Sequence, residues 1–412
     1  MQLLQRTLAA LILAGVAFLL PACSGYADKV AELRGELAAG RPEAALGSFE
    51  AAYGDGGDDP GLPYLFERGT LLYLNGDHAG CQTAFAAAET VVDDLYTRSL
   101  SREAARLIFN DTAQAYRGEL FERVWVHYYR ALAFLAEGDR SGAAVEGRAA
   151  VEDLQRMADT GPDEAKYRND PFLQYFSGLL YEMDGELNDA WINYVEAERL
   201  YRAVDIYGIR APRGLIRDLI RAGERLGFDE EAAVYKERYP EAAPAPAEEG
   251  LAEVLLLIDT GLVPGKISRR MDFPIYTGGD DDEDAAWDTA ALAYDNWHYR
   301  ESRNLELDYI LSIALPAVEE GRAPPKLSWS AGERSGSLET AADLGALSRQ
   351  CLEDRYGAVM IRTVARALLK YWAKEKVEEK HGEGWGFVAD IFGSVTEVAD
   401  TRSWSTLPEH VH

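Results

Sequence analysis

Between residues 28 and 240 the apolar positions recur at helical spacing, in stretches that come in pairs joined by a glycine and a polar residue. Four such junctions centre on Gly40, Gly76, Gly138 and Gly185, with a weaker fifth at Gly227. Five positions after each glycine stands a small residue: Ala45, Cys81, Ala143, Ala190 and Ala232. Nine after it an aromatic recurs as Phe49, Phe85 and Tyr194, while Gly147 and Lys236 depart from the pattern. Twelve after it come Ala52, Ala88, Ala150 and Ala197, and seven before it stand Gly69, Ala131 and Gly178. This register predicts helix hairpins, with small residues where two helices cross and aromatics filling the space beside them. The spacing is irregular, and about one extra helix-sized stretch separates the second and third units.

The pattern changes after PEAAPAPAEE at 240–249, an Ala/Pro-rich acidic stretch that cannot continue a helix. The apolar run 252–258 reads as a buried strand, followed by a turn at 261–265 and a strand over 267–275. Residues 305–315 supply another strand, ended by Pro316. A long helix is predicted from about 338 to 379, with Val364, Leu368, Leu369 and Trp372 on one face. Its apolar stretch 359–372 could serve a partner or a membrane, and covering the small sheet of its own domain is the simpler use. The expected fold is mainly α: a helical-repeat domain over 23–239, a linker at 240–250, and a smaller α/β domain over 251–412.

A different apolar pattern opens the chain. Arg6 precedes an almost unbroken apolar run from Leu8 to Leu20, and Leu20-Pro21-Ala22-Cys23 matches a lipobox. The run is short for a spanning helix and ends in a processing site, so 1–22 reads as a removed signal and Cys23 as the lipidated residue. Several acyl chains, each adding roughly 0.8 kcal/mol per buried CH₂, make a stable anchor. Ser24 after Cys23, rather than Asp, points to transport to the outer membrane, with the periplasmic face as the expected address and inner-membrane anchoring the alternative.

Bulk properties narrow the partners. A 412-residue chain with 47% hydrophobic residues can bury two or three cores. A formal charge of −28 argues against nucleic acid and against a polybasic grip on membranes, leaving the lipid as the anchor. Apart from Cys23, only Cys81 and Cys351 are present. They fit one disulfide or two buried thiols, the second being the simpler use.

Candidate chemistry is sparse. The acidic run 280–284 lacks the spacing of a calcium loop, as does 55–59. His127 stands beside Tyr128 and Tyr129 without a His-Glu-x-x-His pattern, and reads as a packed or capping residue. No nucleophile elbow or phosphate loop is found, so no catalytic residue, metal or cofactor is assigned. Two inserts carry aromatic and Arg residues on expected loops: 97–122, with Tyr116, Arg117 and Glu119, and the stretch with Tyr167, Arg168 and Asp170. These six are the candidate partner contacts, since solenoids keep binding groups on such loops. The competing use is local pairing that orders the insert, and Asn169 or Asp170 could cap a helix starting near Pro171.

The helix-pair signature resembles the tetratricopeptide repeat, most fully in Gly178, Tyr181, Gly185, Ala190, Tyr194 and Ala197. Longer strings resemble an uncharacterised family of tetratricopeptide-repeat-like bacterial envelope lipoproteins. They are FERGTLLYLNGD (66–77), SREAARLIFND (101–111), YRGELFERVWVHYYRAL (116–132), YRNDPFLQYFSGLLYE (167–182) and ADTRSWSTLP (399–408). The resemblance implies association with other envelope lipoproteins or cell-wall synthesis proteins, and further strands beyond His412. The function expected is a membrane-anchored interaction scaffold with a partner in the concave helical face. The alternative is a cell-wall glycan-binding protein or hydrolase, with Trp385 and Trp404 as stacking platforms beside a carboxylate pair.

Overall fold

The computed structural model describes residues 26–54, 61–97, 115–159, 170–203, 208–242, 254–277, 306–381 and 399–412. Among the described residues ten helices precede the sheet-containing region: α1 (Tyr26–Ala38), α2 (Pro42–Tyr53), α3 (Leu62–Leu74), α4 (His78–Thr97), α5 (Leu120–Ala136), α6 (Arg140–Asp159), α7 (Pro171–Asp184), α8 (Leu187–Ala203), α9 (Arg213–Leu226) and α10 (Asp229–Arg238). They pack as hairpins, α1 with α2 through α9 with α10, and each hairpin touches the next. Every junction glycine has positive φ, from 71° at Gly40 to 93° at Gly185, the left-handed turn that stops one helix and starts the next. The small residues five positions on are all buried, from Ala45 to Ala232.

The aromatic rule has a direct steric cause. A Cβ on Gly69 would lie 2.5 Å from the Phe85 ring, and one on Gly178 would lie 2.5 Å from Tyr194. Each glycine is the floor on which the next helix's aromatic rests. Ala88, Ala150 and Ala197 are buried at the following crossing, whereas Ala52 is exposed near the end of the first hairpin.

A 3₁₀ turn at Pro240–Ala242 closes the array. Beyond it come β1 (Asp259–Thr260), β2 (Lys266–Thr277), β3 (Glu306–Val318), β4 (Ser328–Ala331), β5 (Arg334–Ser337), β6 (Ala342–Asp343), the helix α11 (Leu344–His381) and β7 (His410–Val411). β2 and β3 form a long antiparallel ribbon, β4 and β5 a short one, and β7 lies between β1 and β6. α11 covers β3 around Ile313, Leu315 and Ala367.

Three expectations are corrected. Residues 254–258 are not a buried strand: Val254 is 84% exposed and regular pairing starts only at β1. β3 does not end at Pro316, which pairs with Ser268 inside the ribbon. A two-stranded ribbon leaves every second N–H unbonded, so a residue without one is tolerated. Leu369 of the amphipathic face is 43% exposed, because the contact with β3 runs through Ala367 instead.

The helical array and the sheet-containing region share buried side chains. One continuous core contains Phe66, Phe85 and Trp125 of the array together with Val263, Leu344, Leu347, Cys351, Trp404, Leu407 and Val411. Cys81 and Cys351 are both buried free thiols, and burial pushes the Cys81 thiol up to about 12. No helix among the described residues is long and apolar enough to cross a membrane.

Candidate functional site

Side chains of α1, α3 and α5, the first helices of the first three hairpins, close around the segment 403–412. Ser403 to His412 are all buried. Trp404 is fully enclosed, stacked on Phe66 at 4.7 Å and flanked by Phe85 at 5.2 Å and Tyr129 at 5.8 Å. Its indole N–H donates to Thr70 Oγ1 at 2.9 Å. An aromatic with one polar atom is well served by such a pocket, apolar on three sides and wet by a hydroxyl at the fourth.

Carboxylates grip the backbone on either side of that ring. Glu67 accepts from the N–H groups of Ser405 (2.7 Å) and Thr406 (3.0 Å), one through each oxygen. Glu122 accepts the Trp404 N–H at 2.7 Å. Arg34 of α1 donates to the carbonyls of Ser405 and Val263. Farther along, Val263 N donates to Leu407 O, Glu409 N to Thr260 O, and Ala341 N to Val411 O. Ile258 and His412 exchange both of their backbone bonds at 3.0 Å.

A charged layer lies beneath this grip. Glu119 sits at the N-terminus of α5 in a capping box with Glu122. It is ion-paired with Lys266 of β2 and with Arg355 of α11, the latter at 2.6 Å. Burial works against the Glu119 carboxylate, but Lys266 and Arg355 outweigh it and hold the group at about 2. Burial pushes Glu122 up, with Lys266 opposing and Glu119 adding. Tyr116 donates to Glu122 at 2.6 Å, and its ring is faced by Lys266 and Arg402. Lys266 also donates to the Arg402 carbonyl at 3.2 Å, tying the layer to the segment.

The structure therefore revises several expected contacts. Tyr116, Glu119 and Asp170 are buried, not displayed on loops. Asp170 caps α7, accepting from Phe172 N and Leu173 N at 3.0 Å, and also accepts from Trp125 Nε1. Arg117 is half-buried and its carbonyl accepts from Arg123. Tyr167, Arg168, Cys23 and Trp385 lie outside the described residues, as do both acidic runs. Trp404 is not a glycan platform, because all of its faces are covered by protein. The side of α1, α3 and α5 that carries Arg34, Glu67 and Glu122 is occupied by residues 403–412.

Glu67, Thr70, Glu122, Arg34 and Lys266 were not singled out from the sequence. The available signal was a charge on an apolar helix face: Glu67 follows Phe66 within a stretch that is otherwise core. His127, the packed residue expected, is 3% exposed between Glu146 (2.8 Å), Asp153 (3.5 Å) and Glu89 (3.6 Å). Burial disfavours its charge, but the surrounding carboxylates raise the ring to about 9, so it is an imidazolium at neutral pH.

A separate cleft of about 410 Å³ opens between α6, α7 and α8, lined by Val151, Gln155, Trp191, Ile192, Val195 and Glu196. The buried pair Gln174 and Asn193, 2.6 Å apart, forms its floor. Ile192 is 51% exposed at its rim.

No protein-family model matches the chain, and no curated protein matches it. Among solved structures, a Podosopora anserina putative kinesin light chain with nearly identical TPR-like repeats is 16% identical, covering 51% of this chain and 90% of its own at a TM-score of 0.34. The apo form of RapI is 11% identical, covering 52% and 68%, with a TM-score of 0.34. The Rap conjugation gene regulator of plasmid pLS20, in complex with the Phr* peptide, is 14% identical over 52% and 53%, with a TM-score of 0.31. At TM-scores of this size the helix-pair assignment rests on the chain's own hairpins and left-handed glycines.

Proposed function

We propose that this protein is a non-catalytic interaction scaffold of a bacterial cell envelope, lipid-anchored through Cys23 at the periplasmic face of the outer membrane. The observation that carries the reading is the helix-hairpin array, and the cleft at Trp191 and Ile192 is a candidate contact surface on it. A stack of hairpins offers a long rigid surface without the converging polar groups that catalysis needs. Tyr167 and Arg168 are further candidate contacts, with other envelope lipoproteins or wall-synthesis proteins as the partners.

The test is affinity capture from detergent-solubilised envelopes, comparing the native chain with Ile192→Asp and Cys23→Ala. Ile192→Asp should release the partner set while the circular dichroism spectrum stays unchanged, and Cys23→Ala should leave the membrane fraction. An identical partner set with Ile192→Asp removes the cleft from the account. Membrane fractionation unaffected by Cys23→Ala removes the lipid anchor.

A further inference from the structure

Gln174 and Asn193 form the polar floor of the cleft between α6, α7 and α8, and each is only 7% exposed. Val151 of α6 and Trp191, Ile192 and Val195 of α8 stand around them as apolar walls. One neighbour fixes how both amides point. The Asp189 carbonyl accepts from Asn193 Nδ2 at 2.8 Å, so Asn193 Oδ1 is turned to Gln174 and accepts from its Nε2 at 2.6 Å. Gln174 Oε1 is left as an acceptor, and one N–H on each amide as a donor, without a partner among the described residues. Buried amide groups are costly unless their hydrogen bonds are made, and here solvent or a ligand must make them. A ligand that displaces the solvent keeps those bonds only by offering a donor and an acceptor close together.

A peptide group offers that pair, one N–H and one C=O, provided it has not spent them within a helix. Charge is not what the cleft selects, because the rim carboxylate Glu196 is held by Arg199 at 2.7 and 2.5 Å. Nor is Trp191 an open platform for a sugar. Its ring lies against Phe228 at 4.8 Å and its N–H is turned toward Gly223 of α9. The cleft's remaining offer is a small set of aliphatic surfaces, with Ile192 half-exposed at the rim. At about 410 Å³ it is the size of a small-ligand site.

We infer that this cleft binds an extended, uncharged peptide segment of the partner. An aliphatic side chain of the segment seats against Val151, Ile192 and Val195, and a flanking peptide N–H donates to Gln174 Oε1. The floor's spare N–H groups take a carbonyl of the same segment. The inference rests on the cleft being the contact surface proposed above, and adds the chemistry of what enters it.

The test titrates the full chain with a capped tripeptide, acetyl-Ala-Leu-Ala-amide, and reads the Ile192 methyl resonance by NMR. The tripeptide should shift that signal saturably. An analogue with ester oxygens in place of the N–H of leucine and of the alanine after it should bind about five- to tenfold more weakly, as loss of one hydrogen bond does. Gln174→Met keeps the length of the side chain and removes its amide, so tripeptide and ester should bind this variant alike. Equal affinity of the two probes for the native chain overturns the inference, as does the absence of any shift. A shift produced by N-acetylglucosamine and not by the tripeptide overturns it in favour of a sugar. These comparisons need only the native chain, so they decide the matter even if Gln174→Met does not fold. Partner capture lost with Ile192→Asp, but no tripeptide binding, removes the peptide segment and keeps the contact surface. Tripeptide binding with capture unchanged keeps the peptide site and removes the envelope partner from it.

Discussion

His127 illustrates how a single residue takes its role from neighbours far away in sequence. Glu89 comes from α4 and Glu146 and Asp153 from α6, while Arg130 one turn along α5 pairs with both glutamates. The ring is raised from 6.5 to about 9. A histidine raised in the folded state stabilises fully below its unfolded value and loses that contribution as pH climbs through the folded one. Native protein should therefore lose about 3 kcal/mol between pH 6.5 and 9 that His127→Gln does not lose. Urea unfolding of both across that window checks it; parallel pH profiles would remove the charged histidine from the account. The same logic separates Tyr116 and Glu119 from surface contacts. Their residue types suit binding loops, but burial beside Lys266 and Arg355 commits them to the interior.

At the scale of elements, the hairpins follow from a small vocabulary: a left-handed glycine, a small residue at the crossing, and an aromatic over a second glycine. Gly69→Ala would drive a methyl into the Phe85 ring, a clash expected to cost about 1–3 kcal/mol. Shrinking the ring as well, in Gly69→Ala/Phe85→Leu, should recover part of that loss. A double-mutant cycle reading at least about 0.5 kcal/mol of coupling is the expected result. Strict additivity of the two substitutions would show that the ring does not rest on Gly69. Asp170 is the element-scale success of sequence reading, since an Asp before Pro171 announces a helix start and does cap α7. The 252–258 run is the failure. Its hydrophobicity reads as a buried strand, yet what decides strand formation is an available edge, and the edge appears only at β1, against β7.

Across the whole molecule, the C-terminal segment turns two regions into one. Trp404 stands in the same core as Phe66 and Phe85, 319 or more positions earlier in the chain. Trp404→Ala should therefore lower stability by about 3–5 kcal/mol. It should also preserve a single unfolding transition, with helical dichroism and tryptophan fluorescence changing together in urea. Two separated transitions, with the helical one unmoved, would restore the picture of independent domains. Several of the strings that set this sequence apart, FERGT, YRGELFERVWVHYY and TRSWST, meet around that one indole.

The helix hairpins, their junctions and their buried small residues are determined by the sequence itself, because each depends on contacts within about 20 positions and on the intrinsic freedom of glycine. The tripartite apolar and cysteine pattern at the N-terminus is likewise local chemistry. The burial of residues 403–412 was decided only in three dimensions. Trp404 carries no mark in the linear pattern that distinguishes a surface platform from a core anchor. The distinction comes from Phe66, Phe85, Thr70 and Tyr129 being brought around it by two other hairpins. The buried carboxylates are the same case: Glu67 is met by the backbone N–H groups of Ser405 and Thr406, and Glu122 by that of Trp404 in addition to Tyr116 and Glu119 of its own hairpin.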